Sequence, residues 1–487
     1  MTLSSLLAIL PGARRLDPPG STEPPPLSGV AYHAGRVRPG EIFCCLPGAR
    51  ADGHDFAADA LAAGAVALIV ERPLELPAPQ IEVPDARLAM ALAAAALEGD
   101  PSAALDVVGI TGTNGKTTTA FLIHAVLTAA GRSCGLLGTI EARIGGQVEP
   151  ASRTTPESVD LQAVLARMRD AGDVACAMEV SSHALVQRRV AATRFAAAVF
   201  TNLTRDHLDY HADLEDYFAA KRRLFVRPEH EGPDPPAASN LDDPFGRRLA
   251  DEADALGFSL EAGADVHPIR ADAHPRGWSA EFATPRGPLA IETSLRGGFN
   301  LSNVAATVAV GELLELPHAA VAEGIAGLAG VPGRFEAIES GQPFTVLVDY
   351  AHTPDSLENV LRAARPLAGS HRLLVVFGCG GDRDAGKRGP MGTAARTLAD
   401  VAVVTSDNPR GEDPHDIIRR IVDDSAGGAE LIIEPDRRAA IASALASADA
   451  DDVVVVAGKG HEQGQETAGV VTPFDDRDVV RELLEDA

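Results

Sequence analysis

The sequence predicts an α/β protein of three domains, and three observations carry that expectation. Short apolar runs alternate with helical stretches along nearly the whole chain. With 487 residues the chain is too long for one hydrophobic core, and typical domain sizes give a prior of roughly three. The stretch GITGTNGKTTTA (109–120) follows a β-branched run and precedes an apolar helical stretch. Strand, glycine loop and helix in that order are the setting of a phosphate-binding site.

From the N-terminus, residues 5–10 read as a short amphipathic helix and 18–26 (PPGSTEPPP) as a loop. Apolar runs at 42–46 and 66–70 alternate with alanine-rich helices at 56–63 and 86–97, a small α/β unit that ends at the helix-stop sequence Glu98-Gly99-Asp100-Pro101. The first domain is therefore placed at 1–105. From 106 the pattern is strand then helix, with strands at 107–110, 174–180, 197–200 and 237–240 and a helix at 159–169. Continuous apolar strands indicate a mostly parallel sheet covered on both faces. Val331-Pro332-Gly333 marks a hinge, so the central domain spans 106–332. The last domain, 333–487, is Rossmann-like, with strands at 345–348, 373–377, 401–405, 430–433 and 453–457. Each of four strands runs into a polar or glycine-rich loop: DYAHTPDS, GCGGDRD, SDNPRGEDP and AGKGHEQG. In open α/β sheets ligands gather at the carboxyl ends of strands, so these loops form a candidate binding edge.

Composition narrows the function. The chain carries 43 basic and 69 acidic residues, net −26, which argues against a nucleic-acid binder, whose footprint is basic. The five cysteines, Cys44, Cys45, Cys134, Cys176 and Cys379, have no C-x-x-C spacing and read as reduced, buried thiols. No basic region precedes the apolar N-terminal residues, so they do not read as a signal peptide, and no apolar run approaches a membrane span. A soluble, cytoplasmic protein is expected.

The glycine loop departs from the strict phosphate-loop spacing, with Ile110 where the first glycine would fall and glycines at 109 and 112 instead. Its physics survives the change. Gly112 and Gly115 let backbone N–H groups turn inward, the following helix points its positive end at an anion, Lys116 adds charge, and the Thr117 hydroxyl suits magnesium. ATP binding is the working hypothesis. Other candidates are more ambiguous by pattern. Glu179 ends a strand level with the loop, but such a residue is often a solvated loop carboxylate. His207 and His211 lie among acids in a stretch that equally suits a polar turn, and Lys221 fits the basic face of a helix.

The motifs taken together shift the balance among these alternatives. GTNGKTT (112–118), RTTPE (153–157), EVSSHAL (179–185), TNLTRDHLDYH (201–211), AKRRLF (220–225), FNLSN (299–303), PGRFE (332–336), DYAHTPDSL (349–357), GCGGDRD (378–384), DNPR (407–410) and GKGHE (458–462) occur in the order and spacing of the Mur ligases. The chain resembles that family, ATP-dependent amide-bond-forming enzymes of peptidoglycan assembly, over nearly its whole length. Within it the chain looks most like members that add meso-2,6-diaminopimelate to UDP-N-acetylmuramoyl-L-Ala-D-Glu.

The resemblance implies roles. ATP would phosphorylate the D-Glu γ-carboxylate, and the amine would attack the acyl phosphate. Gly112, Thr113, Asn114, Gly115, Lys116, Thr117 and Thr118 would hold the phosphates, Asn300 the adenine, Arg334 the phosphates and Asp349 the ribose, although a strand-end cap is a sufficient reading of Asp349 alone. Two magnesium ions are implied, one at Thr117 and Glu179, the other at His207 and a carbamylated Lys221, made with CO2. Lys116, Glu179, His207 and Lys221 would form the catalytic group, completed when the last domain closes on the central one.

The first domain would bind uridine, and LPGARADGHDF (46–56) resembles its loop. Where the family usually reads Asp-Ser-Arg, this chain has His33-Ala34-Gly35, which removes a serine expected at the uridine. Thr154, Thr155, Ser181, Gln187 and Arg189 match positions that contact the muramoyl dipeptide. Arg383, Asp407, Asn408, Pro409, Arg410, Gly458 and Glu462 would line the diaminopimelate site. A guanidinium donates two hydrogen bonds to the distal carboxylate, which a lysine side chain cannot copy, and a buried Arg410 left without a carboxylate partner should reject L-lysine; an exposed turn is the plainer reading of Arg410. A monomer is expected. The competing readings are a lysine-adding ligase, a folylpolyglutamate synthase, against which residues 28–105 count, and a non-catalytic binding protein on the same scaffold.

Overall fold

The computed structural model describes residues 1–19, 22–48, 51–151, 153–274 and 276–485. Ala49 and Arg50 of the 46–56 loop, and Gly20 and Ser21 of the 18–26 loop, lie outside the described residues. The chain folds into two compact units. The first comprises Met1–Pro268 with Ala283–Leu289 and Ala305–Gly324, and the second Ile269–Phe282, Ala290–Val304 and Ile325–Ala487. The hinge expected at Val331-Pro332-Gly333 lies inside the second unit.

The first unit opens with a five-stranded sheet of β1 (Arg14–Leu16), β2 (Val30–Ala31), β3 (Ile42–Cys44), β4 (Ala67–Val70) and β5 (Gln80–Glu82), ordered β1-β5-β4-β3-β2. Only the edge strand β1 runs antiparallel to its neighbour. The helix Ala86–Leu97, N-capped by Asp85, packs an almost wholly buried alanine-rich face against this sheet and against the helix Ser158–Asp170.

The unit continues with β6 (Asp106–Thr111), β7 (Cys134–Leu137), β8 (Glu141–Ile144), β9 (Gln147–Pro150), β10 (Ala175–Glu179), β11 (Ala197–Phe200), β12 (Ala237–Asn240) and β13 (Leu256–Phe258). They form one sheet ordered β13-β12-β11-β6-β10-β7-β8-β9. It is parallel from β13 to β7 and antiparallel from β7 to β9. β6 lies between β10 and β11, and the chain visits first one side of it and then the other. That reversal of strand order at β6 opens a crevice at its carboxyl end, which is where the glycine loop emerges. The register pairs Glu179 with Ile110, so the carboxylate at the end of β10 stands level with the loop.

The second unit carries β14 (His267–His274), β15 (Gly277–Ala283) and β16 (Leu289–Thr293) in a three-stranded sheet. Its larger sheet contains β17 (Glu336–Ile338), β18 (Thr345–Asp349), β19 (Leu373–Phe377), β20 (Val401–Val404), β21 (Glu430–Ile433) and β22 (Val453–Ala457), ordered β17-β18-β22-β19-β20-β21. All neighbours are parallel except β17 and β18. Every residue of β19 and β22 is buried, as helix-covered parallel strands require. β23 (Gly464–Thr467) and β24 (Val470–Pro473) form a separate hairpin.

One ion pair ties the carboxyl ends of this sheet together. Arg437, at the start of the helix Arg437–Ser447, donates to both Asp476 oxygens at 2.7 and 2.6 Å, and both side chains are fully buried. The same guanidinium donates to the carbonyls of Ser406, beyond β20, and Ala457, at the end of β22. Breaking a buried pair on one side strands the other charge, so Asp476→Ala should destabilise the fold by about 3–5 kcal/mol. Chemical denaturation measures this, and a loss under about 1 kcal/mol would contradict the assignment.

Candidate active site

The glycine loop is shaped by one position above all. Gly112 has φ 151°, and a Cβ there would lie 1.9 Å from the Thr201 hydroxyl oxygen. The close approach exists because the end of β11 braces the loop. Thr113 N–H donates to the Asn202 carbonyl (2.8 Å) and Asn114 N–H to the Asn202 side-chain oxygen (2.9 Å), while Thr201 Oγ1 donates to the Asn114 carbonyl (2.6 Å). The amides of Thr113 and Asn114 are thus used inside the protein. The helix Lys116–Ala129 starts at Gly115 (φ 85°), which sets the positive end of its dipole at the loop. Thr117 and Thr118 are buried in its first turn.

Two lysines converge on this loop. Lys116 Nζ donates to the carbonyls of Gly112 (2.9 Å) and Thr113 (2.8 Å), and Lys221 Nζ donates to the same Gly112 carbonyl (2.7 Å). Lys221 sits in the last turn of the helix Leu214–Arg222, which Asp213 caps, and its amine lies 4.5 Å from the centre of the Tyr217 ring. It is fully buried. Burial, reinforced by the Lys116 charge, pushes its pKa well below the usual lysine value. The reading of Lys221 as a solvated basic face is therefore wrong for this helix.

Glu179 is also buried, and its carboxylate accepts from Thr139 N–H (2.7 Å) and Thr139 Oγ1 (3.1 Å). Its own carbonyl accepts from Thr155 Oγ1 (2.9 Å), and Thr155 Oγ1 in turn accepts from Ser181 N–H. Thr154 reaches Thr139 at 3.0 Å. Arg189 is clamped by Glu157 (2.9 Å), the Thr155 carbonyl (3.0 Å) and the Gln187 side-chain oxygen. The five residues expected at the dipeptide thus form one continuous polar strip beginning at Glu179. Sequence reasoning missed Thr139, Asn202, Tyr217 and Glu157. Two of them, Asn202 and Glu157, lie inside motifs already singled out.

His207 sits at φ 52° in an exposed turn, with its ring edge-on to His183 at 5.0 Å. His183 also stacks on Tyr210, and His211, buried, bonds Ser182. In the first unit's opening segment, His33 is exposed and its Nδ1 accepts from Gly35 N–H at 3.2 Å, capping the short 3₁₀ turn Ala34–Arg36. All five cysteines are free and buried.

In the second unit, Asp349 ends β18 and accepts from Phe335 N–H and Ala351 N–H, both at 2.7 Å. Burial raises its pKa to about 6 against the opposing pull of Arg334. The Arg334 guanidinium lies 4.6 Å over the Tyr350 ring. The Asn300 amide donates to the Arg296 carbonyl and accepts from Asn303.

Arg410, at φ 52°, donates to the Gly381 carbonyl (2.9 Å) and pairs with Glu466 (3.3 Å). A Cβ at Gly380 would come within 2.9 Å of its Nη1, so the GCGG loop makes room for the guanidinium. Asp407 and Asn408 are buried nearby, Asn408 Nδ2 donates to Glu462 (2.9 Å), Gly458 has φ 117°, and Arg383 is exposed. The β23–β24 hairpin supplies Glu466, and neither was anticipated from the sequence. Arg410 therefore keeps a carboxylate partner of its own, so rejection of lysine cannot rest on an orphaned charge.

Among the described residues no three His, Cys, Asp or Glu side chains are grouped to hold a metal, and no helix is long and apolar enough to cross a membrane.

A phosphate loop at the switch point of a parallel sheet, with a carboxylate and two lysines around it, defines a nucleotide-dependent α/β enzyme. The Mur ligase middle-domain model matches residues 110–311, the Mur ligase glutamate ligase domain 333–460, and the Mur ligase family catalytic domain 26–99. The chain belongs to the Mur ligase family and is a ligase. It is 46% identical to the UDP-N-acetylmuramoyl-L-alanyl-D-glutamate--2,6-diaminopimelate ligase of Solibacter usitatus (strain Ellin6076), covering 99% of this chain and 98% of that one. The ligase of the same name from Geobacillus thermodenitrificans (strain NG80-2) is 44% identical over 100% of both. A solved structure of a ligase so named superposes with TM-score 0.72 at 33% identity, covering 100% of this chain and 99% of its own. A MurF ligase from Thermotoga maritima in complex with ADP shares the fold, with TM-score 0.62 at 21% identity over 94% of this chain and 97% of that one.

The loop geometry makes a direct prediction. Gly112→Ala should cost at least about 1–3 kcal/mol from the overlap with Thr201 and the disfavoured φ. It should also abolish the thermal stabilisation that ATP gives the unaltered protein. A variant that melts and responds to ATP as the parent does would contradict this geometry.

Proposed function

We propose that this chain joins meso-2,6-diaminopimelate to the D-Glu γ-carboxylate of UDP-N-acetylmuramoyl-L-Ala-D-Glu with consumption of ATP, in peptidoglycan precursor synthesis. The observation that carries the reading is the continuity of the first unit's site: phosphate loop, Lys116, Lys221 and Glu179 run into the strip Thr154, Thr155, Ser181, Gln187 and Arg189. A phosphoryl donor and a carboxylate acceptor bound on adjoining surfaces react by proximity. The relatives with full-length similarity carry the name of this activity.

In this reading the dipeptide's γ-carboxylate attacks the γ-phosphorus of ATP, ADP leaves, and an acyl phosphate forms. The amine of diaminopimelate then attacks the acyl carbon, and the tetrahedral adduct expels inorganic phosphate to leave the amide. Lys116 and the amides at the start of the helix Lys116–Ala129 hold the transferring phosphoryl group. Asn300, Arg334 and Asp349 are proposed as nucleotide contacts.

The donor set fits magnesium on chemical grounds. That ion is usually held by one or two carboxylates together with substrate phosphates, and Glu179, level with the loop, and Thr117, in the helix's first turn, are buried oxygen donors. Thr117 and Glu179 would hold one ion, His207 and Lys221 a second. Bound there, magnesium would neutralise charge on the phosphoryl group. An amine cannot serve a hard cation, but a carbamate can. The depressed pKa of Lys221 favours the uncharged amine that reacts with CO2. Lys221→Ala should lose most activity, and millimolar acetate or another short carboxylate should restore part of it. Full activity in the variant without a rescuing anion would refute the carbamate.

The amino acid is read by Arg383, Asp407, Asn408, Pro409, Arg410, Gly458 and Glu462. Because Glu466 already pairs with Arg410, the distal carboxylate gains a second partner's share of the guanidinium. A charge-assisted hydrogen bond of this kind is worth about 1.5–3 kcal/mol, or roughly tenfold to a hundredfold. Phosphate release from ATP, measured with the dipeptide and either amino acid, should favour diaminopimelate over L-lysine by that factor. Arg410→Ala should raise the KM for diaminopimelate by the same factor and move the KM for ATP less than about threefold. Equal use of both amino acids would point to the lysine-adding reading, and no release with either to a non-catalytic scaffold.

A further inference from the structure

Lys459 follows Gly458 in the GKGHE loop after β22, and no role above employs it. Its side chain is completely buried. An ammonium has three N–H donors and no acceptor, and three acceptors surround this one: Asn408 Oδ1 at 2.9 Å, Glu462 Oε2 at 3.3 Å and Asp407 Oδ1 at 3.6 Å. Asp407 Oδ1 has no hydrogen bond of its own and is buried, so Lys459 is its nearest compensating charge.

This geometry fixes which way Asn408 faces. Its side-chain oxygen receives both Lys459 Nζ and Glu466 N–H (3.0 Å). Both are pure donors, so a flipped carboxamide would set NH2 against an ammonium and an amide N–H. Nδ2 must therefore turn the other way. One of its hydrogens goes to Glu462 Oε2 (2.9 Å), and the other has no partner among the described residues. Lys459 also cancels one of the two carboxylates, Asp407 and Glu462, leaving a single negative charge in the cluster.

We propose that Lys459 is a positioning residue for the amino-acid substrate: by locking Asn408 and Glu462 Oε2, it presents one N–H donor for a ligand carboxylate and one carboxylate oxygen for a ligand ammonium. The proposal rests on the reading of Asn408 and Glu462 as amino-acid contacts. A diamino dicarboxylate needs that pairing of donor and acceptor, and neither Asn408 nor Glu462 enforces it alone.

The test is steady-state kinetics on the purified full chain. Lys459→Met keeps the length of the side chain and removes its donors. It should raise the KM for diaminopimelate at least tenfold and leave the KM for ATP and for the UDP-dipeptide within about twofold. A purely structural role would instead lower kcat and Tm without a selective KM effect, and that result overturns the proposal. In an Asn408→Ala background Lys459→Met should add less than about threefold, since the two act as a unit; a full tenfold on top overturns it. Lys459→Gln retains an N–H for Asn408 Oδ1 and serves if the methionine variant does not fold. Its KM for diaminopimelate should stay within about fivefold of the parent, and a tenfold or greater rise overturns the lock on Asn408. If Asn408→Ala alone leaves that KM unchanged, the amino-acid reading of the loop fails and the proposal with it. A raised KM in Asn408→Ala beside an unchanged one in Lys459→Met overturns the Lys459 proposal alone.

Discussion

The carbonyl oxygen of Gly112 receives two lysine amines, and the site in the first unit is organised around that sharing. Two ammonium groups on one acceptor repel each other, and one of them is removed from water. Burial and the neighbouring charge act in the same direction on Lys221, so it is the amine that gives up its proton more easily. The surrounding structure holds the arrangement in place. Gly112 must be glycine because Thr201 occupies the space of a side chain, Asn202 pins the next two amides, and the Tyr217 ring covers the Lys221 amine. A buried amine whose pKa is pushed down beside a phosphate loop is poorly suited to an ion pair and, in the proposed chemistry, is the one that becomes a carbamate. The proposed catalytic chemistry follows from that constraint.

The second unit solves a related problem by pairing. Arg437 and Lys459 are both buried cations, and each is surrounded by carboxylate and carbonyl oxygens. Arg437 fastens the ends of β20 and β22 to the last helix, the framework from which the DNPR and GKGHE loops project. Lys459 acts one layer further in, on the orientation of a single carboxamide. Arg410 differs from both: it is part-exposed and shared between Gly381 and Glu466, which leaves it able to accept another anion.

Much of this was legible in the sequence, for physical reasons that also mark where legibility stops. The strands Ala197–Phe200, Ala237–Asn240, Leu373–Phe377, Glu430–Ile433 and Val453–Ala457 coincide with the apolar runs read from the sequence. Most are buried on both faces, so hydrophobicity alone marks them. The hairpin β8–β9 and the strand β14 interleave charged and polar residues with few large apolar ones, and β24 is short with Val470 and Val471 both exposed, so none reads as a core strand. β16 alternates buried and exposed residues, the period of a half-buried strand, but sits among strands with no helix between them, outside the strand-then-helix alternation of the rest of the chain. Within each unit several motif residues lie side by side, whereas Thr139, Glu466 and Lys459 owe their importance to contacts distant in sequence, and Tyr217 to its place one helical turn before Lys221. Glu466 required the β23–β24 hairpin, and Lys459 required its burial; the GKGHE motif by itself drew attention only to its first and last residues.

The most direct measurement is ¹³C NMR of the purified protein equilibrated with ¹³C-labelled bicarbonate. A slowly exchanging carbamate resonance at near-stoichiometric occupancy is expected, lost in Lys221→Ala and retained in Lys116→Ala. A protein fully active in phosphate release but without that resonance, or with one that survives removal of Lys221, would contradict it.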